Sequence, residues 1–159
     1  MSFRFEYRLG EAGWALATIA LGGRKTSLAV SYLHDSLRDL ASSVRALCEG
    51  APAVTVVFMD EPGEAHLRLR RLNDDRVGIE VIWYSDWKSR GMNPSVKERR
   101  LKGSTTLAKV RSQVIAALRA VLTEHGEAGY LERWIAHPFP TEELRALETL
   151  QPKPPPQQH

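Results

Sequence analysis

Alternation of apolar and polar residues opens the chain and predicts strands. In FRFEYRL (3–9) the aromatic and leucine side chains fall on one side and the charged ones on the other, the period of a strand with one wet face. The run from Trp14 to Leu21 returns after the turn GEAG, and GGRK leads into TSLAVSY (26–32). The start of the chain is therefore predicted to form antiparallel hairpins.

A helical period replaces the alternation from Leu33 onward. The apolar stripe repeats at spacings of three and four residues: Leu33, Leu37, Leu40, Val44 and Leu47. Gly50 and Pro52 end the pattern, so a helix is predicted over 32–49. Cys48 lies at the edge of this stripe, and we expect an unreactive buried thiol because no partner base is indicated.

Three further strands are predicted by VTVVFMD, AHLRLRRL and RVGIEVIWY. A two-residue turn at Pro62-Gly63 places Phe58 opposite Leu67 and gives the first two strands a common apolar side. Pro-Gly prefers a type II turn, which suits a two-residue hairpin poorly, so the connection is expected to be wider than two residues or bulged, with a register that is able to slip at the tip. The turn NDD then sets Leu69 opposite Ile79, and both turns bury the same face.

The opposite face of this meander is predicted to pair Arg68 with Glu80 among apolar and basic side chains. Its residues are Thr55, Val57, Met59, His66, Arg68, Arg70, Glu80, Ile82 and Tyr84. This mixture is too apolar to face water alone, so the face is expected either to be covered or to bind something.

The second half of the chain is predicted to be mainly helical. It begins with a long basic loop, SDWKSRGMNPSVKERRLKG, in which VKERRL is a candidate edge strand. Helical spacing then predicts a helix over 106–125, capped by Ser104 or Thr105 and ended by Gly126. A short third helix precedes HPFP, and Thr141 is placed to cap a last helix.

These elements predict a single α+β domain over 1–150. Its antiparallel sheet has about six strands, with the helices at 32–49 and 106–125 packed on one face and short C-terminal helices at one end. A chain of 159 residues is long enough for one such core without disulfide support. The Pro/Gln-rich tail QPKPPPQQH (151–159) is expected to be disordered.

Composition narrows the classes of function. The single cysteine excludes an internal disulfide, and no Cys and His cluster falls at zinc-ligand spacing. The N-terminal segment has no apolar stretch typical of a signal or membrane span. We therefore expect a cytoplasmic protein with no metal, no cofactor and no membrane contact. The net charge is only +3, but 87–119 carries nine Lys or Arg against one Glu.

Candidate catalytic groups concentrate in DEPGEAH, where Asp60, Glu61 and Glu64 are able in principle to divide general-acid and general-base roles. A hairpin tip is usually solvated, which removes the desolvation that separates pKa values, so an acidic turn is the expected interpretation. His66 is expected as a surface histidine, and GGRKTS lacks the spacing of a phosphate loop. We predict no catalytic residue and no enzyme; convergence of Glu61, Glu64 and His66 in a closed pocket would favour one.

Binding is the predicted activity. Alternation buries Trp83 and leaves Tyr84, with Trp87, as aromatic anchors of an interface. The expected partner is another protein or a second copy of the chain, and the alternative is a nucleic-acid-binding accessory protein that uses 87–119. The predicted partner-binding residues are Met59, His66, Arg68, Arg70, Tyr84, Trp87, Arg99 and Arg100.

Three stretches together resemble a group of small uncharacterised bacterial proteins: SYLHDSLRDLASSVRAL, DEPGEAHLRLRR and YLERWIAHPFPTEELRAL. The shared features are a Tyr-Leu-x-Asp helix start, a Glu-Pro-Gly-Glu turn and a Trp-x-x-x-Pro-Phe-Pro end, between about 31 and 150. Proteins of this kind are similar to immunity proteins encoded beside bacterial toxins, which act by binding. The resemblance implies a toxin as partner. Inhibitors of nucleases are commonly acidic, so the basic charge of this chain disfavours a nuclease toxin.

Overall fold

The strands form two separate antiparallel sheets. The computed structural model describes residues 2–150. The three-stranded first sheet contains β1 (Phe3–Leu9), β2 (Trp14–Leu21) and β3 (Arg24–Ser31). The four-stranded second sheet contains β4 (Ala53–Met59), β5 (Glu64–Arg71), β6 (Arg76–Tyr84) and β7 (Lys97–Thr106). The α+β class is as predicted, whereas the single sheet of about six strands is wrong.

Three α-helices and a 3-10 turn at Lys88–Arg90 complete the described part of the chain, and the α-helices are α1 (Ser36–Cys48), α2 (Leu107–Trp134) and α3 (Thr141–Thr149). The break in α2 falls at Gly126, where φ is 68°, so its two parts correspond to the second and third predicted helices. The side chain of Thr106 caps α2 by accepting the Lys109 N–H at 3.1 Å, one residue later than predicted. Thr141 lies inside α3 and bonds to Glu127, so its predicted capping role is wrong.

The single-sheet prediction is wrong because a helix runs along the edge of each sheet. The Asp39 carboxylate of α1 accepts the Val57 N–H of β4 at 3.0 Å, and the Ser36 hydroxyl donates to the Val57 carbonyl at 2.9 Å. Gln113 of α2 accepts the Phe5 N–H of β1 at 3.2 Å. Side chains of α1 thus bond to the backbone N–H and carbonyl of Val57 at the edge of β4. In a single sheet, β3 would pair with these groups instead.

One apolar core joins both sheets to the helices. The Phe5 and Phe58 rings, one from each sheet, lie with centroids 6.2 Å apart. The predicted stripe of α1 is buried from Leu37 to Leu47, and Cys48 is fully buried beside it as a free thiol. Burial raises the pKa of this thiol, which agrees with the predicted unreactive cysteine. Each large apolar side chain buried here contributes roughly 1.5–3 kcal/mol.

The β4–β5 register differs by two residues from the one drawn for a two-residue turn, and the wider connection expected at Pro-Gly is confirmed. Phe58 lies opposite Ala65 and not opposite Leu67, because the connection Asp60–Gly63 spans four residues and not two. Its ends are joined by the Asp60 N–H and the Gly63 carbonyl at 2.8 Å. A Cβ on Gly63 would lie 2.6 Å from the Tyr84 carbonyl oxygen, so only glycine fits this close approach. A shift of two residues keeps every side chain on its predicted face.

The β5–β6 register is as predicted, with Leu69 opposite Ile79 and Arg68 opposite Glu80. The Asn73 side chain organises the NDD turn by accepting the N–H groups of Asp75 and Arg76 at 3.0 and 2.9 Å. No helix within residues 2–150 is long and apolar enough to cross a membrane. The tail predicted to be disordered lies outside the described residues.

Candidate binding surface

The face of the second sheet that points away from the core, here called the outer face, consists of four rows of side chains. Register places each row across β4, β5, β6 and β7 in that order. The two covered rows are Met59, Glu64, Tyr84, Lys97 and Val57, His66, Ile82, Arg99; the two open rows are Thr55, Arg68, Glu80, Lys102 and Ala53, Arg70, Gly78, Ser104. The names describe burial, because the β4–β6 members of the covered rows are buried or half-buried while the open rows face solvent.

A strap formed by residues 85–96 lies over the covered rows. The Lys88 ammonium sits 4.9 Å from the centre of the Tyr84 ring. The Trp87 indole N–H donates to the Asp60 carbonyl at 2.7 Å, and the Arg90 guanidinium donates to the Leu33 carbonyl at 3.2 Å. The segment predicted as a basic loop is therefore folded back onto the sheet, and it is bonded to the β4–β5 connection at Asp60 and to the segment before α1 at Leu33.

Glu64 fastens the strap from below. Its side chain is fully buried and bonds to the His66 Nε2. The Ser89 hydroxyl donates to Glu64 Oε1 at 2.8 Å, and the Ser89 N–H donates to Oε2 at 3.1 Å. A buried carboxylate needs such donors to offset its lost hydration. The predictions of a solvated acidic turn and a surface histidine are wrong for Glu64 and His66.

The Glu64, His66 and Ser89 side chains do not have the order that nucleophilic catalysis requires. In a catalytic triad the base lies between the nucleophile and the orienting carboxylate. Here the Ser89 hydroxyl bonds to the carboxylate itself, and Glu61 is exposed and apart from the cluster. Among residues 2–150 no group of three or more His, Cys, Asp or Glu side chains is arranged to hold a metal ion. This cluster is arranged to hold the strap.

Burial divides the residues predicted to bind a partner. Met59, His66 and Tyr84 are buried under the strap, and Trp87 is half-buried within it. Tyr84 was expected to be exposed and Trp83 buried, whereas Tyr84 is 1% exposed and Trp83 is partly exposed. The strap is the reason, since alternation correctly assigned Tyr84 to the outer face but does not reveal a covering segment.

Arg100 is directed away from the outer face. An irregularity in the β6–β7 pairing next to Ile82 leaves it between the paired residues Arg99 and Leu101. Its guanidinium lies 5.2 Å from the centre of the Trp83 ring, and both line a cavity of about 140 Å³ together with Asp60. Of the predicted set, Arg68, Arg70 and Arg99 remain on the accessible part of the outer face.

The open rows form a groove of about 510 Å³. Gly78 lines it without a side chain, and Leu72 lies beside Gly78 with 49% of its surface exposed. Arg68, Arg70 and Lys102 line the groove as cations against the single carboxylate of Glu80. The groove therefore combines a floor that is open at Gly78 with a surplus of positive charge.

The cations of the groove differ in how they are paired. Glu80 lies 3.7 Å from Arg68 and 3.8 Å from Arg99, and Arg68 also donates to the Tyr84 hydroxyl at 3.2 Å. The side chains of Arg70 and Lys102 have no hydrogen bond or ion pair with any described residue. Lys102 was not among the predicted binding residues, although its position opposite Glu80 follows once the β6–β7 register is known.

The basic region 87–119 does not form one continuous surface. Arg111 donates to the Leu147 carbonyl at 2.9 Å, and Arg119 pairs with Glu148 at 2.5 Å. Arg90 is bonded to the Leu33 carbonyl within the strap. Several of these cations therefore serve contacts between elements, and the sequence count overstates the charge available to a ligand.

A second polar cluster lies where the loops around Asp35 and His137 meet α2. The hydroxyls of Tyr7 and Tyr130 are buried and have no hydrogen-bond partner among the described residues. Burial raises the pKa of both tyrosines, with the Asp35 carboxylate adding to the effect, and burial also raises the pKa of Asp35. His137 lies 3.7 Å from Asp35 and opposes that last shift. The tyrosines stay protonated and are unsuited to act as bases.

No protein-family model and no curated protein matches the sequence. Among solved structures, a chain of the CdiA-CT/CdiI toxin and immunity complex from Enterobacter cloacae is similar, with 12% identity and a TM-score of 0.45. The match covers 72% of this chain and 99% of that chain.

Proposed function

We propose that the protein is a non-enzymatic binding module that holds a partner protein at the open rows of its outer face. The observation that carries the proposal is the groove of about 510 Å³, in which Arg70 and Lys102 stand without partners among the described residues. Cations that no internal group neutralises repel one another, and a complementary partner removes that cost. A bacterial toxin is the partner that the sequence resemblance implies.

The distribution of polar groups supports binding over catalysis. The buried Glu64 side chain bonds to His66 and to Ser89, within a covered part of the sheet. The open groove contains no histidine and only one carboxylate, Glu80, which is engaged with two arginines. A general acid and base pair is thus absent from the lining of the groove, whereas charge and shape for recognition are present.

The proposal is tested by affinity purification of tagged protein from its native cell. We expect a specific partner to be retained by the unmodified protein and by Arg4→Ala/Arg8→Ala, which removes two exposed cations from β1 of the first sheet. Arg68→Ala/Arg70→Ala is expected to lose the partner by about tenfold or more, since contacts to charged groups are typically worth 1.5–3 kcal/mol. Equal retention by both double variants would show that the open rows are not the binding site.

Nucleic acid is the second candidate for the same cations. Its test is fluorescence anisotropy with generic single- and double-stranded DNA and RNA at low and at physiological salt. Binding to a phosphate backbone would weaken steeply with salt and would fall with Arg68→Ala/Arg70→Ala. The described groove lining offers no exposed aromatic ring on which bases stack, so we expect protein to be the preferred partner.

A further inference from the structure

The unpaired cations stand on different strands of the groove. Arg70 projects from β5 and Lys102 from β7, with β6 between them. Glu80 of β6 is the carboxylate within reach, but Arg68 and Arg99 already lie 3.7 and 3.8 Å from it. The groove therefore presents positive charge on both sides of a middle strand whose own acid is engaged.

On β6, the strand between these cations, the floor of the groove is open at Gly78 and carries a charge only at Glu80. Gly78 occupies the β6 position directly opposite Arg70, so no side chain rises from the middle of the groove there. The nearest side-chain atom to a Cβ built on Gly78 is Leu72 Cδ2 at 3.4 Å, an ordinary van der Waals distance. An apolar side chain of an occupant has room above Gly78 and an exposed apolar neighbour in Leu72.

We propose that this groove binds an acidic segment of the partner, with carboxylates that meet Arg70 and Lys102 and an apolar side chain between them that lies over Gly78. The inference rests on the proposed function and adds the chemistry of the partner to it. Guanidinium and ammonium groups form their strongest contacts with carboxylates or phosphates. The apolar surface at Gly78 and Leu72 favours an acidic protein segment over a nucleic acid, because a phosphate backbone has no side chain to place on it.

The direct test is titration of the ¹⁵N-labelled chain with a capped peptide, Glu-Glu-Leu-Glu-Glu, followed by the amide signals. We expect saturable shifts at groove residues such as Thr55, Gly78, Glu80 and Gly103, weakened by salt. Lys-Lys-Leu-Lys-Lys is expected not to bind, and Glu-Glu-Gly-Glu-Glu to bind more weakly because it lacks the apolar contact. Absence of acidic-peptide binding, or shifts away from the groove, would overturn the inference.

Two variants separate the charge from the shape of the groove. Arg70→Ala/Lys102→Ala is expected to weaken the acidic peptide by about tenfold, while Arg4→Ala/Arg8→Ala leaves it unchanged. Gly78→Val is expected to block the Leu-containing peptide without loss of any cation, since a β-branched residue suits a strand and fills the floor. Oligo-dT that binds at the same signals more tightly than the peptide would assign the groove to phosphate and overturn the inference.

Failure of this inference is distinguishable from failure of the proposed function. If a partner is retained in the native cell through Arg68 and Arg70 but the acidic peptide does not bind, the partner is not an acidic segment and the binding function stands. If Arg68→Ala/Arg70→Ala retains the partner as well as the control Arg4→Ala/Arg8→Ala does, the proposed site itself is wrong.

Discussion

The covered rows and the open rows belong to the same four strands, but their polar groups differ in whether they have partners within the protein. In the covered rows the buried carboxylate of Glu64 is matched by His66 and Ser89. In the open rows the single carboxylate, Glu80, is outnumbered by cations that stay in water. An unpaired buried charge is costly, so the Glu64 carboxylate has internal partners, whereas exposure lets charge remain available for an external partner.

The difference arises at the end of β6. The chain leaves Tyr84 directly into the strap, which folds back over the nearest outer-face residues and reaches the Leu33 carbonyl beyond the sheet. The strap shields the half of the face that carries Met59, Ile82 and Tyr84. It leaves the half that is rich in arginine exposed to solvent. The sequence left open whether the outer face is covered or binds something; half of it is covered, and the other half is the proposed binding site.

The largest expected effect comes from the buried carboxylate. Glu64→Ala leaves the donors of His66 and Ser89 without their acceptor, so we expect a loss of about 3 kcal/mol in the free energy of unfolding. Urea denaturation followed by circular dichroism measures it. Glu61→Ala in the same turn is the matched control, exposed and expected to change stability by less than about 0.5 kcal/mol. Similar small losses in both variants would contradict a structural role for Glu64.

Loosening the strap alone should cost less. Ser89→Ala removes the hydroxyl donor to Glu64 but keeps the backbone N–H donor, so we expect a loss of about 1 kcal/mol. Amide hydrogen exchange should accelerate within 85–96 and stay unchanged in β1–β3. Ser95→Ala, in the same strap but with a long and exposed contact to Ser85 at 3.4 Å, serves as the control. Uniform acceleration over the whole chain would mean that the strap does not open by itself.

A smaller effect is expected where the two halves meet. Tyr84→Phe removes the hydroxyl that accepts from Arg68 at 3.2 Å and keeps the buried ring. Because the donor is partly exposed to water, we expect a loss of about 0.5 kcal/mol. Partner retention should be unchanged if Arg68 binds through its free donors. A large drop in retention with intact stability would show that Tyr84 positions Arg68 for binding.

The smallest effect on stability is expected in the open rows. Arg70→Ala/Lys102→Ala removes cations without described internal partners, so the free energy of unfolding should change by less than about 0.5 kcal/mol. The same urea experiment measures it, and the expected result is unchanged stability together with lost binding. A loss above about 1 kcal/mol would show that these cations stabilise the fold and would remove the contrast between the two halves.

Local patterns predicted which residues share a face, and turn chemistry predicted part of the pairing. The β5–β6 register was predicted because NDD closes a short turn in which Asn73 accepts two backbone N–H groups. The β4–β5 register was not predicted, since Pro-Gly indicated a connection wider than two residues but not its length, which is the four residues Asp60–Gly63. The prediction of which β4 and β5 side chains share a face was still correct, because a shift of two residues preserves the alternation of side chains.

The sequence by itself therefore determined the order of strands and helices and, for β1, β4–β6 and α1, the side that meets the core, since these follow from periods of two and of 3.6 residues. Only the tertiary structure decided how the sheets divide and which half of the outer face is free. Those outcomes depend on bonds between distant residues, such as Asp39 with Val57, 18 positions apart, and Glu64 with Ser89, 25 positions apart. A local pattern carries no record of such contacts, because the partner of a buried polar group is chosen by the fold and not by its neighbours in sequence.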